Sequence, residues 1–85
     1  MAATESIELV YRNIRFLRRA NHLTQKEMAK ILNIGVGTLR KMERGVPVPR
    51  VTVDILWQIR DTFGISPSAL MNLDLQQLVC LKDTN

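Results

Sequence analysis

The chain is poor in the groups from which most catalytic and metal sites are built. It has a single cysteine, Cys80, so no intramolecular disulfide can form, and a single histidine, His22, with no metal-ligand neighbours in sequence. No glycine-rich phosphate loop, HExxH or CxxC is present, so neither a nucleotide cofactor nor a metal is expected. There is no signal-peptide h-region and no apolar run long enough to cross a bilayer. A cytoplasmic, reducing setting without membrane attachment follows as an expectation. Internal repeats, low-complexity tracts and strand-like alternation are missing too. With 85 residues there is material for one domain with a modest core, and not for a cleft between lobes. With no nucleophile, base or metal constellation either, an enzyme is not expected.

What is present is positive charge, unevenly placed. The formal net charge is +4, but residues 1–50 hold ten basic against four acidic side chains, whereas residues 51–85 hold two against four. A basic half suits a polyanionic partner.

That half contains the most informative stretch, Thr24 to Gly45. Thr24 and Glu27 have the spacing of a capping box, which predicts a helix from Gln25 to Ile31 or Leu32 with Met28, Ala29 and Leu32 as its apolar positions. Asn33 suits the left-handed residue that ends a helix, and Gly35 can cap the next one. The second helix is predicted from Val36 to about Arg44, with Leu39 and Met42 inward, Arg40, Lys41 and Arg44 outward, and Gly45 as its stop. Two short helices joined by a tight corner make a helix-turn-helix candidate.

Around this pair the pattern predicts three more helices. The first, capped by Thr4 or Ser6, runs to about Ala20 with a buried stripe of Ile7, Val10, Ile14 and Leu17 and with Arg12, Arg15 and Arg19 outside. After a stiff loop, VPVPRV, a helix starting near Thr52 points Ile55, Leu56, Ile59 and Phe63 to one side and leaves Val53 and Trp57 off it. Gly64 stops that helix. Ser66 and Pro67 cap and open another that ends near Met71 or Asn72, and Asp74 with Gln77 predicts a last short helical segment over Leu75 to Leu81. The whole chain is expected to be one all-α domain, its core spanning about residues 7–72 and residues 73–85 forming an extension.

Four runs resemble a known family: I-R-F-L-R at 14–18, L-T-Q-K-E-M-A at 23–29, T-L-R-K-M-E-R-G at 38–45 and F-G-I-S-P-S-A-L at 63–70. In order and spacing they are similar to the lambda-repressor-like, Cro-type helix-turn-helix regulators. The resemblance covers Ile14 to Leu70 and implies a compact five-helix bundle that binds double-stranded DNA as a transcriptional regulator, a repressor acting as a homodimer. It implies that Gln25 bonds a phosphate and that Val36, Gly37, Thr38, Arg40 and Lys41 lie where members touch bases or nearby phosphates. It also implies that Arg44 meets the backbone and that Arg18 and Glu43 pair across the core. The last point agrees with spacing, since Arg18 follows core Leu17 and Glu43 follows core Met42. The sequence departs from the family pattern at positions 36 and 37, where valine and glycine replace polar side chains able to bond base edges, and in the loop after Gly45, about two residues longer than is common. These departures motivate the rival expectation, a protein-interaction module such as an antitoxin or adaptor on the same fold. Trp57, Val53 and the Leu75–Leu81 segment are expected to border a twofold interface.

Overall fold

The computed structural model describes residues 2–46, 48 and 53–77. Five α-helices follow one another: α1 Ala2–Ala20, α2 Gln25–Leu32, α3 Val36–Glu43, α4 Val53–Phe63 and α5 Pro67–Asn72, with one further helical turn over residues 75–77. The described residues are helical throughout, with short connections and no strand. No helix among them is long and apolar enough to cross a membrane.

The helix boundaries follow from local chemistry. At the start of α2 the Thr24 hydroxyl accepts from the Glu27 N–H at 3.0 Å, while the Thr24 N–H donates to the Glu27 carboxylate at 2.8 Å. This reciprocal pair satisfies two N–H groups that the helix cannot. In α5 the Ser66 hydroxyl accepts from the Ala69 N–H and Pro67 takes the first turn, where no N–H is needed. Three helices end in the same way. His22, Asn33 and Gly45 have φ of 56°, 58° and 76°, and the next residue in each case (Leu23, Ile34, Val46) donates back to a carbonyl five residues earlier.

α2 and α3 have eight residues each, too short to persist alone in water, so their stability comes from docking. α1 packs on α3 and α5, α2 packs on α3 and α4, and α4 packs on α5. Where they meet, Ile14, Met28, Leu32, Leu39, Met42, Ile55, Ile59 and Leu70 are fully buried, each worth about 1.5–3 kcal/mol relative to exposure.

The structure corrects the sequence reading in four places. α1 begins at Ala2, so Thr4 and Ser6 lie inside the helix rather than at its cap. Ile7 shares the phase of the apolar stripe but is 45% exposed; from Ile7 onward the first buried side chains of α1 are Val10 and Tyr11. Leu75 is buried in the core of its own chain and is not a free interface residue. The fourth correction is Asn13, expected nowhere and 1% exposed. Its amide donates to the carbonyls of Leu70 and Leu73 at 2.8 and 2.7 Å and its oxygen accepts from the Leu75 N–H at 3.1 Å. α1 thereby holds the chain that leaves α5. The expected start of α4 at Thr52, most of the VPVPRV loop, and Leu78 to Leu81 lie outside the described residues.

Candidate nucleic-acid interface

The contact between α1 and α3 sets the geometry of the basic surface. Arg18, near the end of α1, reaches Glu43, the last residue of α3. Its Nε donates to Oε2 at 2.7 Å and its Nη2 to Oε1 at 2.9 Å, a two-pronged ion pair. The side chains are 15% and 4% exposed. The third arm of the guanidinium, Nη1, donates to the Leu23 carbonyl at 3.0 Å, so Arg18 also holds the corner before α2.

From this pair a chain of contacts runs outward. Gln25, at the first position of α2, donates its Nε2 to Glu43 Oε1 at 3.2 Å, and its Oε1 accepts from Arg40 Nε at 3.3 Å. The side-chain amide expected to bond a phosphate thus bridges Glu43 and Arg40 and helps to orient Arg40.

α3 shows a narrow outward stripe. Gly37, Arg40, Lys41 and Arg44 are exposed at helical spacing, whereas Leu39 and Met42 are buried. Val36 and Thr38 are half-buried on the flanks, and Val36 packs against the core. A Cβ built on Gly37 meets nothing within 4 Å, so the fold does not require glycine there.

The residues singled out in the sequence fall into two groups. Gln25, Arg40 and Arg44 line one open recess together with Arg18 and Glu43, while Val36, Gly37, Thr38 and Lys41 lie outside it. The remaining walls of the recess are Arg15 and Arg19 of α1. Sequence reading set these two on the outer side of α1 without a partner, because no spacing within α1 reveals which helix docks beside it.

A family model described as helix-turn-helix matches residues 14–70, from the middle of α1 to the buried leucine of α5. The chain belongs to the lambda-repressor- and Cro-like helix-turn-helix family. No curated protein and no solved structure matches it. As a helix-turn-helix protein of this family it has a DNA-binding domain of the kind found in transcription regulators. Its two motif helices are α2 and α3, and the Arg18–Glu43 pair ties the second of them to α1.

Proposed function

We propose that the protein is a sequence-specific repressor that binds double-stranded DNA in the cytoplasm as a homodimer, without a catalytic step, and reads the major groove with α3. The observation that carries this reading is the outward stripe of α3: three cations beside a bare glycine, with no carboxylate within ion-pair distance of them among the described residues. Phosphate neutralisation and counterion release supply affinity, and side chains at base edges supply choice.

Lys41, exposed on the stripe, and Arg40, oriented by Gln25, are the candidates for guanine N7 and O6. Thr38 offers a hydroxyl or a methyl, and Val36 offers a methyl group to thymine at the start of the helix. Gly37 lets the backbone approach closely. Gln25 and the start of α2 lie against one phosphate strand, and Arg44 meets the same backbone. Two copies related by a twofold axis place their α3 helices about 34 Å apart, one turn of DNA, so that two modest half-site readers act together. Trp57, 45% exposed on α4, and its neighbour Val53 are the apolar side chains proposed for that interface.

Selection from a random duplex library tests the reading. The wild type should recover a twofold-symmetric consensus with one or two guanines per half-site. Lys41→Ala should relax base choice at one position, whereas Arg44→Ala should weaken all sequences alike and flatten the salt dependence by about 0.9 in log–log slope. Strong binding with no consensus would leave a non-specific binder. Absence of binding at low salt would replace this reading with the protein-interaction module.

A further inference from the structure

We propose that α1 is a third DNA-contacting element, in which Arg15 and Arg19 seat one backbone phosphate of the duplex in the recess they share with α3. The inference rests on the DNA reading above and adds a contact to it.

The recess is walled by five arginines and one glutamate: Arg15, Arg18 and Arg19 from α1, Arg40 and Glu43 from α3 and Arg44 just after it, with Gln25 of α2 between them. The glutamate does not offset the outer charges, because its two oxygens are taken by the Arg18 fork and by Gln25. Arg15, Arg19, Arg40 and Arg44 are all exposed, and no carboxylate among the described residues pairs with any of them. Four like charges converging on one recess repel one another unless an anion enters. The floor is rigid, since a bidentate buried pair and the Gln25 bridge fix the relative positions of the three helices. The recess also adjoins the outward stripe of α3, sharing Arg40 and Arg44 with it, so an anion held there belongs to the same strand that α3 touches. An isolated, strongly hydrated cation on a helix face has none of these features. Arg12 differs in its partner: it borders Arg15 and Arg19 on their far side, outside the recess shared with α3, and its 70% exposed side chain lies 3.9 Å from the Asp74 carboxylate.

The test measures affinity for duplex DNA across a salt series for the wild type, Arg15→Ala/Arg19→Ala and the control Arg12→Ala. Each neutralised phosphate contributes about 0.9 to the slope of log affinity against log salt. The double variant should lose about that much and bind at least tenfold more weakly at low salt, with the wild-type circular dichroism spectrum and melt. Arg12→Ala, with a similar charge change per residue on the same helix, should change the slope far less. Scanning single methylphosphonates along the duplex should then reveal one phosphate whose neutralisation weakens the wild type and has no further effect on the double variant. A double variant that retains the wild-type slope and the full methylphosphonate pattern overturns the α1 contact while leaving the DNA reading intact. Failure of the wild type to bind any duplex overturns both. A wild type that ignores duplex DNA but melts higher in inorganic pyrophosphate shows that the recess serves a free anion instead.

Discussion

Replacing Glu43 with alanine probes the joint on which both fold and basic surface depend. The Glu43 carboxylate accepts two bonds from Arg18 and one from Gln25, at 2.7, 2.9 and 3.2 Å, with 4% of its side chain exposed. In Glu43→Ala the Arg18 guanidinium keeps only the Leu23 carbonyl while remaining charged and mostly out of water. Breaking a buried pair on one side costs about 3–5 kcal/mol, whereas an exposed pair is worth about 0–1 kcal/mol. A domain of this length has roughly 4–13 kcal/mol of stability in total, so the variant should lose a large part of it. The melting temperature should fall by roughly 12–40 °C, at about 4–8 °C per kcal/mol. Urea denaturation followed by circular dichroism supplies the free energy directly, with Arg18→Met/Glu43→Leu as the second arm. That double variant removes both charges and fills the space, and it should recover most of the loss, because the penalty lies in the orphaned charge. A single variant that loses less than about 1 kcal/mol, or a double variant as unstable as the sum of the singles, would refute the argument.

Asn13→Ala leaves the Leu70 and Leu73 carbonyls and the Leu75 N–H without their partner, and should cost about 3 kcal/mol, with the Leu75 amide losing protection in hydrogen exchange. Gly37→Ala meets open space in a helix and should stabilise the protein by about 0.5–1 kcal/mol in urea melts; if α3 approaches bases closely, the same variant binds DNA more weakly. The Thr24 N–H, and secondly its hydroxyl, hold the Glu27 carboxyl below the usual carboxylate range. Because the folded value is depressed, the stabilisation is complete above the ordinary range and is lost as pH falls through the lowered value; an NMR titration should show a low midpoint for Glu27 that rises only part of the way in Thr24→Ala, which removes the hydroxyl but keeps the N–H. Trp57→Ser should convert dimers to monomers in sedimentation, and a wild type that is monomeric even on DNA would remove Trp57 from the proposed interface.

What the sequence discloses and what it conceals divide along the range of the interactions. Thr24 with Glu27, Asn33, Gly45, Gly64 and Ser66 with Pro67 act within a few residues, so their spacing alone sets the helix limits that the structure shows. Asn13 acts on partners 57 to 62 residues away, and nothing near it separates a buried asparagine from a solvated one. Periodicity identified the inner face of α1 but not where along the helix its neighbours end, and Ile7 lies beyond them. On the basic surface, the outward cations of α3 follow from phase. The bridge that Gln25 makes between Glu43 and Arg40 and the placement of Arg15 and Arg19 in a recess with α3 depend on how three helices dock, which no single helix encodes.

The chain of contacts from Arg18 through Glu43 and Gln25 to Arg40 bears on how loss-of-function alleles would be interpreted. A genetic screen for lost DNA binding would return changes at Glu43 and Arg18 beside changes at exposed arginines, and phenotype would not sort them. Substitutions at Gln25 would be harder to classify, since they release Arg40 without removing any charge and, on the proposed reading, yield folded protein with altered preference. Steady-state protein level is the measurement that separates the classes: alleles at Glu43 should deplete the protein, whereas alleles at Gln25 and Arg40 should leave it abundant and misdirected.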